Sequence, residues 1–301
     1  MNNVCCPLTG RSNVEKVDSL ETRKLIEDWN RSFAIDISKE MEGISKIDLY
    51  RCNETGLRFF MPVSAAGSED LYVQLQKFEW FYMSWKWEHE VLFSRLKSGD
   101  KVLEVGCATG SFIEKMCLAG FDAEGIEFNP AAVAKAQEKN IPVSLTDLSS
   151  LAHRKSESFD VVCSFQVLEH VPDPAAFIDG CIALLKRGGC LVLCVPNNDS
   201  FLKYQRNLLD MPPHHMAQWS LNAFQSLEKL YPLRLSYVKC EPLASYHIDG
   251  YLYAYINRLR EIDWLHRLFV SCVVPGLRFV LKCGLRRLCR GQSIYVELIK
   301  L

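Results

Sequence analysis

The chain has 301 residues, 49% of them apolar and 24% charged, enough material for one large core or two small ones. That balance excludes intrinsic disorder and a fibrous repeat. Lys and Arg number 35 against 36 Asp and Glu, a net charge of −1, which argues against binding nucleic acid through bulk phosphate neutralisation.

Thirteen cysteines are spread through the chain, an odd number, and no basic-then-apolar leader opens it. Cys107, Cys163, Cys181, Cys190 and Cys194 lie in apolar segments, where a thiol packs as a small hydrophobe. Free thiols in a reducing cytoplasm are therefore expected. The longest apolar run towards the C-terminus, Leu268 to Leu277, is ten residues bracketed by Arg267 and Arg278, too short to span a bilayer.

In chain order, residues 1–65 read as a small, polar and irregular lobe, with CCPLTG near its start and RCNETG near its end. Residues 66–98 are a helical lead-in, where Leu71, Leu75, Phe78, Tyr82, Trp85 and His89 recur at helical spacing. Residues 99–249 form the core. In it VLEVG, DAEGIEF, PVSLTDL, FDVVCSF and CLVLCVP alternate with helical stretches, the pattern of βαβ units in a parallel sheet. Gly188 and Gly189 are expected to end the helix before the last of these strands. LNAFQSLEKL reads as a further helix and LRLSYVKC as a strand. Residues 250–290 form a basic helical insertion, and 291–301 a final strand of the same sheet.

VLEVGCATGSF carries the chemistry. A buried strand enters a glycine turn and then a helix, which aims backbone N–H groups at a ligand. Glu104 precedes Gly106 by two positions. Glu127, at the tip of the next strand, can accept two ribose hydroxyls, and Asp147, at the third, an exocyclic adenine amine. Phe165 and Gln166 close the fourth strand on the same edge. The G-x-G-x-x-G spacing of a dinucleotide site is absent, which counts against a nicotinamide-dependent dehydrogenase.

This ordered set resembles the class I S-adenosylmethionine-dependent methyltransferases over about residues 70–240 plus the final strand. EVGCATG matches the family's glycine motif, with Ala108 in place of the middle glycine, and LEHVPDP and LKRGGCLVL match its later stretches. The resemblance implies a Rossmann-like α/β fold with a mainly parallel seven-stranded sheet, helices on both faces, and S-adenosylmethionine as cofactor. It places Gly106, Cys107, Ala108 and Gly110 along the methionine part and Glu127 on the ribose. Phe128, Asp147 and Leu148 fall about the adenine, and Phe165 and Gln166 near the sulfonium.

The acceptor implied is small and hydroxylated: a sugar, a sugar nucleotide or a lipid-linked glycan. Methyl transfer is an in-line displacement, so a base is needed only where the nucleophile loses a proton. His214 and His215 in DMPPHHMAQWS are the leading candidates, with His170 after the fourth strand as the third, and Tyr82 and Tyr204 as acceptor-pocket residues. No carboxylate or cysteine stands at ligand spacing from the histidine pair, so no metal ligand is assigned there. CCPLTG and RCNETG resemble zinc-ribbon knuckles that precede some sugar-modifying members, but Thr9 and Thr55 replace the second cysteine of each, so this lobe is expected to hold no zinc. Residues 251–301 carry +6 and the rest −7, which fits contact with an anionic membrane surface or a phosphate-bearing substrate. A catalytically silent cofactor-binding scaffold is the competing class.

Overall fold

A computed structural model describes residues 4–78, 81, 83–259 and 263–301. The first lobe holds strand β1 (Val14–Glu21), helix α1 (Thr22–Phe33) and strands β2 (Lys46–Cys52) and β3 (Arg58–Met61). It is therefore more regular than its polar composition led us to expect. Leu25 and Trp29, one helical turn apart, bury one face of α1 against the sheet, where Ile47 and Leu49 also point inward. Two matching turns flank it. The Cys6 N–H donates to Arg11 O and the Gly10 N–H to Cys6 O, at 2.8 and 2.9 Å. The Cys52 N–H donates to Leu57 O and the Gly56 N–H to Cys52 O, both at 2.8 Å. Gly10 and Gly56 sit at φ +67° and +74°, where an L side chain is strained. The two turns thus share one geometry, with Cys6 and Cys52 both buried.

The lead-in forms two short helices, α2 (Glu69–Leu75) and α3 (Trp87–Phe93). Leu71, Leu75 and His89 are buried as their spacing required, while Tyr82 lies outside the described residues. The alternating core follows: β4 (Lys101–Val105), α4 (Ser111–Leu118), β5 (Asp122–Glu127), α5 (Pro130–Glu138), β6 (Val143–Leu145), α6 (Leu148–Arg154), β7 (Phe159–Phe165), α7 (Pro174–Leu184) and β8 (Leu185–Pro196). Helix starts are set locally. Asn129, Asp147 and Asp173 each accept a backbone N–H of the helix they precede, and proline follows two of them. One local expectation fails: α7 ends at Leu184, so Gly188 and Gly189 lie inside β8. There Gly188, at φ +78°, accompanies a shift in register against β7.

The chain continues through β9 (Ala217–Gln218), α8 (Leu221–Leu230) and β10 (Leu233–Pro242) to the helical insertion. This comprises α9 (Ile248–Ile256), α10 (Asp263–Leu268), a π-helical turn at Phe269–Val273 and α11 (Val274–Lys282). Strand β11 (Arg290–Lys300) ends the fold. The main sheet has seven strands in the order β10-β11-β8-β7-β4-β5-β6, parallel from β8 to β6, with β11 antiparallel to both its neighbours. This is the Rossmann-like methyltransferase arrangement. The four-stranded sheet β1-β2-β3-β9 borrows its edge from the core, because β9 pairs with β3. Cys163, Cys181 and Cys194 are fully buried packing residues whose thiols burial pushes well up. No disulfide joins the described cysteines. No described helix is long and apolar enough to cross a membrane.

Candidate active site

The glycine turn is dictated by space as well as by φ. Gly106 and Gly110 adopt φ +77° and +75°. A Cβ on Gly106 would lie 2.5 Å from Val167 Cγ2, and one on Gly110 would lie 2.9 Å from Ile141 and Val143. Ala108, the departure from the motif, takes φ +49°, the conformation a glycine would supply, at a cost of about 1 kcal/mol. The Gly106 and Cys107 N–H groups both donate to Ile126 O, at 2.9 and 3.1 Å, which ties the turn to β5. Cys107 is buried, its thiol packed where a Gly125 side chain would be.

Three carboxylates meet this edge in different states. Glu127 Oε2 accepts the Ala108 N–H at 2.9 Å, and Oε1 accepts those of Phe128 and Asn129 at 2.7 and 2.9 Å. The group is half-buried and fixed, and a carboxylate's remaining lone pair can still receive a hydroxyl. Phe128 beside it is 69% exposed. Asp147 caps α6: its oxygens accept the Ser150 N–H and the Ser149 and Ser150 hydroxyls at 2.6–2.9 Å, which holds its carboxyl below the usual range. Glu104 is buried, its Oε2 has no hydrogen-bond partner, and burial pushes its pKa up to about 8. These features fit S-adenosylmethionine: a glycine cradle, a carboxylate fixed at the second strand for a ribose, and an orphaned buried acceptor suited to the methionine ammonium. The side chains of Leu148 and Phe165 are core, the first against Gly180 and the second among His89 and Phe112.

Gln166, at φ +56°, donates through Nε2 to Glu88 Oε1 at 3.2 Å. Glu88 is 3% exposed and was missed in the sequence; a Glu–His pair among aromatics on a short helix was its only signal. Helix α3 is pinned in place by Arg95, which forks onto Glu297 of β11 and lies 3.7 Å over the Tyr237 ring.

The three histidines come together. Glu169 O accepts the N–H groups of Met216 and Ala217, at 2.8 and 3.0 Å, which draws the PPHH stretch onto the loop after β7. The ring centroids of His170, His214 and His215 stand 4.5–4.7 Å apart. Nδ1–H of His170 donates to His214 O at 2.6 Å and Nδ1–H of His214 to Leu209 O at 2.9 Å, so each keeps its lone pair on Nε2. Burial holds His170 down at about 3 and His214 well below the usual range, so both are neutral at pH 7. His215 Nδ1 is 3.4 Å from Asp210 Oδ1, and its Nε2 is 4.0 Å from Glu169 Oε1. Glu169 is 2% exposed, and burial, partly offset by His215, lifts it to about 7. The histidine pair therefore does have carboxylate neighbours, contrary to the spacing argument. Asp210 closes the short turn Leu208–Asp210 just ahead of the pair, and Glu169 comes from the loop after β7.

His215 also walls a cavity of about 310 Å³ between the lobe and the core. Tyr204, Asp210, Asn198 and Pro196 line it from the core side, and Arg58 and Phe60 from the lobe. Arg58, also missed, has its Nε buried without a partner, and burial lowers its pKa.

Among known proteins, residues 82–233 match the methyltransferase-domain family. A ubiquinone biosynthesis O-methyltransferase of Psychrobacter cryohalolentis is 37% identical over 138 residues, 40% of this chain and 54% of that protein. One from Ralstonia nicotianae is 31% identical over 164 residues, 48% of this chain and 69% of that protein. The chain thus spans about half the length of the first of these curated relatives. Among solved structures, the plantazolicin methyltransferase BamL, in complex with a desmethyl analogue and S-adenosylhomocysteine, shares the fold at a TM-score of 0.51 and 14% identity, covering 77% of this chain and 91% of that one. With its family match spanning the glycine turn, the strand-end carboxylates and the histidine cluster, the chain belongs to the methyltransferase-domain family, whose cofactor is S-adenosylmethionine.

Proposed function

We propose that this protein transfers a methyl group from S-adenosylmethionine to a hydroxyl of a small acceptor held between the lobe and the core. The observation that carries the reading is His215, which walls the cavity while belonging to a buried histidine cluster directly after the cofactor-bearing strands. When bound, the cofactor supplies a methyl group already activated on a sulfonium, so the protein's work is positioning. Glu127 and the glycine turn orient the nucleoside and methionine ends. The buried lining of β4, β7 and β8 excludes water. The histidine cluster is where the acceptor hydroxyl gives up its proton. The name of the curated relatives, O-methyltransferase, supports a hydroxyl acceptor. The paired knuckle turns support the narrower assignment to members that modify sugars. Incubating the protein with methyl-labelled cofactor and a panel of phenolic, sugar and sugar-nucleotide acceptors tests this, and label is expected on oxygen. Cofactor binding with no transfer to any acceptor would favour the scaffold reading, and binding of NAD in its place the dehydrogenase.

A second feature supports contact with a membrane surface. Trp264, Phe279 and Leu288 are 70%, 68% and 83% exposed in the insertion, beside Lys282, Arg286 and Arg287. Exposed apolar tips on a segment of net positive charge suit an anionic interface. We expect the protein to sediment with vesicles containing anionic lipid and not with zwitterionic ones, and Phe279→Glu with Trp264→Glu to reduce this. No sedimentation with either composition would remove the assignment.

A further inference from the structure

We infer that His170, His214 and His215 form a binding site for one divalent transition-metal ion of the kind that prefers imidazole nitrogen. Their candidate ligand atoms all lie within 4.8 Å of one another. Ligands sharing one zinc-type ion, each about 2.0–2.1 Å from it, stand about 3.3 Å apart, so only a small closure of the rings is needed. Two rings are already oriented as ligands, for the Nδ1–H of His170 and of His214 is engaged by a backbone carbonyl, at 2.6 and 2.9 Å, and Nε2 is left for an ion. The His214 Nε2 is buried with no hydrogen-bond partner, and so is Glu169 Oε2. The other Glu169 oxygen lies 3.8 Å from His170 Nε2 and 4.0 Å from His215 Nε2, where its charge offsets that of a cation. Asp210, 3.4 Å from His215 Nδ1, completes the carboxylate–imidazole support that metal-bound histidines use. Hydrogen bonds within the cluster leave the His214 Nε2 without a partner, and a cation held by the three rings would supply one.

Three imidazole ligands would leave a coordination position open, and His215 places it on the cavity side. An acceptor hydroxyl bound there would become more acidic and would give its proton to the Glu169 carboxylate as the carbon–oxygen bond forms and the carbon–sulfur bond breaks. The ion changes no oxidation state. This catalytic role, unlike the binding itself, rests on the methyl-transfer reading.

The test uses the full-length chain, stripped with chelator and titrated with Co²⁺, followed by visible absorption and calorimetry. One equivalent is expected, with visible bands but without the intense near-ultraviolet band of a cysteine thiolate. His214→Ala and His215→Gln should each weaken Co²⁺ binding by at least about 10-fold. Cys6→Ser with Cys52→Ser should leave it unchanged. Titration of every sample with S-adenosylhomocysteine reports folding independently, and the cavity-wall variant His215→Gln keeps the test open if His214→Ala does not fold. A stripped chain that binds S-adenosylhomocysteine but no Co²⁺ overturns the inference alone. So does Co²⁺ binding that survives both histidine variants and is lost in the cysteine variant. Co²⁺ binding with no S-adenosylhomocysteine binding upholds the metal site and overturns the methyl-transfer reading.

Discussion

His215→Ala is expected to lower turnover by about 10²–10⁴-fold while leaving S-adenosylhomocysteine affinity unchanged. The separation follows from position. His215 faces the acceptor cavity and is supported by Asp210 and Glu169, whereas the glycine turn and Glu127 are built from other segments and share no hydrogen bond with it. Losing the ring takes a group from the acceptor side and leaves the cofactor cradle intact. His214→Ala should behave differently. That ring is buried against Tyr72 and Phe81, and its removal opens a void as well as disturbing the cluster. Thermal unfolding followed alongside turnover reads the packing: both rings are buried, so each variant should lose some stability, and His214→Ala, whose ring also meets Tyr72 and Phe81, should lose more. Full turnover in His215→Ala, measured on the acceptor that the labelling panel identifies, would remove the cluster from the reaction. Loss of cofactor affinity in step with turnover would show that the PPHH stretch is structural.

Much of the cofactor edge is legible in the chain because it is local. A glycine turn, a carboxylate at a strand end and a capping aspartate are each fixed within a few residues, and the parallel sheet brings the strand ends together whatever else happens. The acceptor side is not local. His170 and His214 are 44 residues apart, and they meet because two backbone amides after His215 donate to one carbonyl of Glu169. The segment doing so, Met216 with the two-residue β9 after it, is too short for any periodicity to reveal. The same strand pairs with β3 and so delivers Arg58 to the cavity, which made this arginine unreadable as a site residue. In the lobe the opposite error occurs. Strand β2 buries Ile47 and Leu49 between charged positions, and β3 buries Phe59 and Phe60 into two different clusters, so a composition-based reading takes such short mixed strands for irregular chain.

Glu127→Ala should weaken S-adenosylhomocysteine binding by about 2–4 kcal/mol, since charge-assisted hydrogen bonds contribute about 1.5–3 kcal/mol each and do not add fully. That is roughly a 30- to 1000-fold rise in Kd. Two effects combine. The variant loses the acceptor for the ribose hydroxyls, and it also frees the amides of Ala108, Phe128 and Asn129, which the carboxylate holds at 2.7–2.9 Å. Ala108, at φ +49°, then lacks the bond that keeps it in a conformation it does not favour, and the cradle loosens. Glu127→Gln separates the two contributions, because a side-chain amide keeps one accepting oxygen for the turn but replaces the other with a donor. Its loss should fall between those of the native chain and Glu127→Ala. Asp147→Asn should cost cofactor affinity less than either, because the Asp147 oxygens are already occupied at the start of α6. Calorimetry with S-adenosylhomocysteine on variants that melt like the native chain reads all three. An unchanged affinity in folded Glu127→Ala would contradict the placement of the ribose at the end of β5.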